Sequence, residues 1–143
     1  MKKTVLFSIL LSVFFLNSIA QAKEELVGTW TVTKVSLAPN APKEFKEGYD
    51  KMVKGMQHST MEFEQDGKCK IAILELMAKE AGASLNGKTS WVYNEIDKSI
   101  IVSEGSGKSK DTLMKMYVKK EGKKYMFIGD ETYLVFDVKK NKK

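Results

Sequence analysis

The stretch Thr60-Met61-Glu62-Phe63-Glu64-Gln65-Asp66-Gly67-Lys68-Cys69-Lys70-Ile71-Ala72-Ile73 decides the fold of this chain. Apolar Met61 and Phe63 alternate with Glu62 and Glu64, and Cys69, Ile71 and Ile73 alternate with Lys68 and Lys70. A period of two places each apolar set on one face of a strand. Asp66-Gly67 between the two runs is a strong hairpin signal. The segment is expected to be an antiparallel pair with one dry and one wet face. Read as a two-residue turn, Asp66-Gly67 would set Cys69 opposite Glu64.

Downstream the same pattern repeats. Thr89 to Glu95, Ser99 to Ser103, Leu113 to Lys119, Lys124 to Ile128 and Thr132 to Val138 read as strands, with turns at Asp97-Lys98, Glu121-Gly122 and Gly129-Asp130. Upstream, Leu26-Val27-Gly28-Thr29-Trp30-Thr31-Val32-Thr33-Lys34-Val35 is rich in β-branched residues and reads as the opening strand. Pro39 and Pro42 end that pattern, and Phe45, Tyr49, Met52, Val53 and Met56 then share one face of a helix between Lys43 and His58. Two segments read as loops: Glu75 to Gly87, with one helical turn at most, and the small polar run Gly105-Ser106-Gly107-Lys108-Ser109-Lys110. The expected fold is all-β, an antiparallel up-and-down eight-stranded barrel with one helix between the first two strands, since closing a meander of one-faced strands removes its edges.

The first residues have a different character. Lys2-Lys3, the apolar run Val5 to Leu16, and Ala20-Gln21-Ala22 form a signal peptide expected to be cut before Lys23. The run is shorter than the ~20 residues a membrane helix needs. No cysteine follows the cut, as a lipid anchor would require. Residues 1–22 are thus assigned to export, and residues 23–143 to one barrel domain, soluble and periplasmic or secreted. A single cysteine, Cys69, leaves no internal disulfide, so the core must hold the domain unaided.

The chain carries 24 basic residues against 18 acidic ones, a formal charge of +6, and every basic residue is a lysine. Bidentate contacts to bases and phosphates are mainly made by arginine, so nucleic acid is not an expected partner. No catalytic or metal-binding constellation is present, no cofactor is expected, and an enzyme is the least favoured reading. Gly107-Lys108-Ser109 lacks the glycine and following helix of a phosphate-binding loop. His58 lies too far along its strand from Cys69 for a thiol–imidazole dyad, and reads as a helix-end charge or an exposed side chain. Glu62 and Glu64 read as strand-face partners of Lys68 and Lys70.

Taken in order, Leu26-Val27-Gly28-Thr29-Trp30, Met61-Glu62-Phe63 with Asp66-Gly67-Lys68, Gly87 ahead of Trp91, Asp97-Lys98-Ser99-Ile100-Ile101-Val102 and Leu134-Val135-Phe136 resemble the small exported lipocalin-like (calycin-type) proteins of Gram-negative bacteria. The resemblance spans about Glu25 to Lys139. It implies an up-and-down barrel whose opening-strand Trp30 closes one end, and an interior that either holds a ligand or is filled. The arginine that packs on this Trp in many lipocalins has no counterpart. By side-chain parity the barrel-interior candidates are Met61, Phe63, Ile71, Ile73, Trp91, Tyr93, Met114, Met116 and Phe136. Seven methionines in residues 23–143 suit an irregular core or an adaptable apolar pocket. Two functional readings stay open: binding of a small hydrophobic or amphipathic ligand inside the barrel, or a non-catalytic cell-envelope interaction or structural module with a filled barrel.

Overall fold

The computed structural model describes residues 22–82, 85 and 88–143. The segment expected to act as a signal peptide, through Gln21, and Gly87 of the resemblance lie outside the described residues. Eight strands run in the order β1 (Gly28–Leu37), β2 (Thr60–Phe63), β3 (Cys69–Ile71), β4 (Thr89–Asn94), β5 (Ser99–Ser106), β6 (Ser109–Glu121), β7 (Lys124–Gly129) and β8 (Leu134–Lys140). Helix α1 (Lys43–Met56) joins β1 to β2, and helix α2 (Ala72–Glu80) follows β3 directly. The sheet order is β3-β2-β1-β8-β7-β6-β5-β4, with antiparallel pairing throughout. It is an up-and-down barrel, nearly closed, with its seam between β3 and β4.

Backbone and side-chain hydrogen bonds span the seam. Trp91 donates its backbone N–H to the Gly67 carbonyl at 2.8 Å and its indole N–H to the Glu64 carbonyl at 2.9 Å. The Thr89 hydroxyl donates to the Cys69 carbonyl, and Lys68 bridges Ser90. Trp91 thus satisfies two carbonyl acceptors of the β2–β3 turn where β3 is too short to form a ladder.

The hairpin that decided the fold forms with its register moved by one residue. Phe63 faces Cys69, Met61 faces Ile71, and Glu62 faces Lys70. The loop is Gln65-Asp66-Gly67, with Gly67 at φ +90° and the Glu64 N–H bonded to the Lys68 carbonyl. Opposed residues in a strand pair point to the same side. Cys69 therefore belongs opposite buried Phe63, not opposite Glu64. Glu62 and Glu64 still lie opposite Lys70 and Lys68, as the strand pattern predicts, and the Lys68 ammonium also pairs with Asp66 within the turn at 2.9 Å.

Two expectations of loop are corrected. The run Ala72-Ile73-Leu74-Glu75-Leu76-Met77-Ala78-Lys79-Glu80 is composed of residues that favour helix or tolerate it well. It forms a nine-residue helix ending ahead of Gly82 at φ +71°, with Ile73 and Leu74 buried. Ile73 consequently leaves the strand assigned to it. The polar run from Gly105 to Lys110 is no separate loop either: Gly105 pairs with Lys110 and Ser106 with Ser109, so β5 and β6 run to the tip of their hairpin. Each strand's hydrogen bonds continue once the neighbour is in place, whatever the side chains.

In β1 the alternation Trp30, Val32 is followed by Val35, because Thr33 is an extra residue between Val32–Val138 and Lys34–Asp137. A second extra residue, Leu113, separates Met114–Val102 from Thr112–Ser103. Such bulges bend a strand and re-aim its side chains.

Candidate functional site

Seven of the nine interior candidates, Met61, Phe63, Ile71, Ile73, Trp91, Met116 and Phe136, are buried in one cluster, and Tyr93 and Met114 pack half-buried against it. The rings form a continuous column. Trp91 lies 5.0 Å from Phe63, Phe63 lies 6.1 Å from Phe127, Phe127 lies 5.5 Å from Trp30, and Trp30 lies 4.8 Å from Tyr125. Met61, Ile100, Val102, Met116 and Phe127 have no surface that a water molecule could touch. The lumen around these five is filled by the protein's own side chains.

Trp30 closes the end of the barrel where β1 begins. Its indole N–H donates to the Leu26 carbonyl at 2.8 Å, which satisfies the one polar atom of a buried ring. The Lys140 ammonium sits 5.5 Å from the ring centroid and donates to the Glu25 carbonyl at 2.8 Å. In a chain without arginine, a lysine from β8 provides the cation on this Trp. Gly28 makes room for it: at φ +132°, a Cβ there would come within 2.8 Å of Lys140 Cε.

Both ends of the barrel are less tightly filled than its middle: a space of about 420 Å³ near Trp30 is lined by Leu26, Tyr93, Val118 and Tyr125 among others, and the helix-covered end is also open. A cavity of about 310 Å³ opens beside α2, walled by Leu74, Met77, Leu113, Met114 and Phe136, with Lys115, Asp130, Glu131 and Thr132 among its other lining residues. Four consecutive residues of β6, Thr112 to Lys115, line this cavity around the Leu113 bulge, where the strand's alternation is broken. On the other flank of α2, a groove of about 350 Å³ runs against α1, lined by Met52, Gly55, Met56, Leu76 and Met77 among others. The helices approach closely at Gly55, where a Cβ would meet Leu76 Cδ2 at 2.9 Å. Met77, 39% exposed, lines both spaces. Lys115 at the cavity rim is held by Asp97 at 2.8 Å. That contact lowers the Asp97 pKa and raises that of Lys115.

Met114 and Phe136, both interior candidates, meet at this mouth, whereas Met61, Phe63, Trp91 and Met116 lie in the packed body. Leu74, Met77 and Leu113 were not legible as site residues. The signal that could have found the first two is the helical spacing of Ile73, Leu74 and Met77; no signal in the sequence marks the bulge.

Cys69 and His58 lie outside this cavity. Cys69 is buried, and burial pushes its thiol up to about 11, so the thiolate is scarce at neutral pH. His58 is exposed just beyond α1, its backbone N–H bonded to the Val32 carbonyl. Gly107 and Lys108 form the tip of the β5–β6 hairpin, with strand on both sides. Among the described residues no group of three or more His, Cys, Asp or Glu side chains could hold a metal ion. Among the described residues no helix is long and apolar enough to cross a membrane.

The eight-stranded up-and-down barrel is consistent with a calycin-like architecture, and such a barrel is compatible with ligand binding. No family model, curated protein or solved structure matches the chain.

Proposed function

We propose that this protein is an exported, non-catalytic, lipocalin-like binder of a small hydrophobic or amphipathic molecule, which it takes at the helix-covered mouth of the barrel. The observation that carries this reading is the cavity beside α2, with five apolar walls and a polar rim. Its volume lies at the small end of ligand pockets, which span about 300–1,000 Å³. Methionines on both sides of α2 favour adaptable contact with an apolar body. The polar end of an amphipathic ligand would lie at the rim, beside Lys115, Asp130 and Glu131.

Titration of the folded protein with N-phenylnaphthylamine, with heat-denatured protein as control, tests this. Saturable binding in the micromolar range is expected, about 8 kcal/mol of binding free energy. Because Met77 is already partly exposed, Met77→Asp should leave the melting temperature within a few degrees. It should weaken the probe about tenfold through a charge in the apolar wall. A filled lumen also favours a second reading, the interaction or structural module that works through its outer surface. Absence of any saturable signal from folded protein would give the chain to that reading.

Export is tested separately. The exported protein should have the intact mass of residues 23–143, beginning at Lys23. A mass matching residues 1–143, or a lipid adduct, would refute cleavage without lipidation.

A further inference from the structure

The antiparallel order sends the β2–β3, β4–β5 and β6–β7 turns, the start of β1 and the end of β8 to the end of the barrel opposite the helices. Charge is distributed unevenly between the two ends. At the helix-covered end lysines alternate with carboxylates, as in Lys43-Glu44, Lys46-Glu47 and Asp50-Lys51. At the other end the β6–β7 turn carries Lys119, Lys120, Lys123 and Lys124, and neighbouring β8 runs out through Lys139 and Lys140 into Asn141-Lys142-Lys143. A groove of about 840 Å³ lies between these segments, its floor including Trp30, Tyr125, Met126 and Val138.

Two of the three carboxylates lining this groove are engaged, while the third, Asp137, is in no ion pair among the described residues. Glu25 accepts from Lys120 at 2.9 Å and from the Tyr125 hydroxyl at 2.6 Å, and Glu121 pairs with Lys119 at 2.9 Å. Among the described residues no ion pair engages Lys123, Lys139, Lys142 or Lys143. A second feature shares this end. Ile96, at the tip of the β4–β5 turn, is 97% exposed, the most exposed large apolar side chain described.

We propose that this lysine-rich end docks the barrel on an anionic phospholipid surface, with Ile96 entering the headgroup–acyl boundary. Unpaired ammonium groups on flexible stems suit a diffuse negative surface, where each acts as a point charge and no bidentate geometry is needed. Lysine stems lie along apolar material while their heads stay at the polar layer. The all-lysine composition disfavours nucleic acid as the anion. The β4–β5 turn that carries Ile96 also reaches the rim of the cavity beside α2, through the Asp97–Lys115 ion pair. The inference is independent of ligand binding there.

Flotation of the protein, as recovered after export, with phosphatidylcholine vesicles lacking or containing about 30% phosphatidylglycerol tests the proposal. Binding is expected only to the anionic vesicles and should be largely lost at about 0.5 M NaCl. Lys123→Glu/Lys124→Glu/Lys139→Glu should lower the partition coefficient on the order of 100-fold, at about fivefold for each lysine removed. Ile96→Asp should lower it several-fold. The matched variant Lys46→Glu/Lys51→Glu/Lys54→Glu, on exposed positions of α1, should bind as the parent does. Equal loss in both triple variants would mean that net charge alone acts, and would overturn the proposal. So would failure of the parent to float with anionic vesicles, including the case in which it is retained on a soluble polyanion such as heparin.

Discussion

Replacing Trp30 by alanine should cost the domain about 3–5 kcal/mol, the range for removing a buried aromatic from a packed core. Trp30 is 1% exposed, and four contacts converge on it: Tyr125 at 4.8 Å, Phe127 at 5.5 Å, the Lys140 ammonium at 5.5 Å, and the Leu26 carbonyl that receives its N–H. Collapse around the vacated volume is restricted, because β1 is bonded to β2 on one side and β8 on the other. A domain of this size holds only about 5–15 kcal/mol in total, so the loss is a large share of it. Thermal melting by circular dichroism should fall by more than about 10 °C, or the protein should fail to accumulate in folded form. Trp30→Phe keeps a ring against Phe127 but leaves the Leu26 carbonyl unpaired, and should fall between the two. Melting of the alanine variant within a few degrees of the parent would contradict the register of β1.

Met116→Lys should be as damaging for a different reason. Met116 is 0% exposed, with Ile100 opposite it on β5 and Gly129 opposite it on β7. An ammonium placed there loses its hydration, an effective cost of several kcal/mol. Burial lowers the pKa of such a lysine in the folded state below its unfolded value of about 10.4. Between those two pKa values the unfolded chain binds more protons than the folded one, so stability rises with pH. The variant should therefore be strongly destabilised in urea at pH 7 and regain part of the loss by pH 9.5. Met116→Leu, close in volume, should stay within about 1.5 kcal/mol. A lysine variant as stable as the parent at pH 7 would mean that position 116 faces a water-filled lumen. Such a result would reopen the deep interior as the ligand space.

Most of the architecture was open to reading in the residues themselves. The period-two alternation of Met61-Glu62-Phe63 and of Met114-Lys115-Met116, with Gly and Asp between runs, states which side of each strand is dry. A closed sheet follows from eight such strands, because each apolar face needs cover and each edge a partner. Helix α1 was legible from Phe45, Tyr49, Met52, Val53 and Met56, whose spacing a strand would scatter over both faces. Where reading from the sequence failed, two local preferences were nearly balanced. Ile71 and Ile73 continue the strand alternation, while Ala72 to Glu80 also satisfies a helix, and the end of the barrel settles the choice by burying Ile73 and Leu74 together.

The candidate mouth was less legible than the fold, for a reason that applies to any cavity. Parity assigns a side chain to the inside, but it cannot say whether neighbours from other strands leave space beside it. Met61 and Met116 share their pattern with Met114, yet ring packing and opposed side chains close the first two, while the Leu113 bulge and α2 leave room beside the third. The lysine on Trp30 is of the same kind. Lys140 lies 110 positions along the chain in the run of a solvated tail, and only the β1–β8 register sets it over the indole. The sequence by itself determined most of the strands, their dry faces and the meander, because these depend on periods of two to four residues along one chain. Tertiary structure alone decided the hairpin register, the filled lumen, the open mouth and the collection of unpaired lysines at one end, because each depends on distances between segments far apart in sequence.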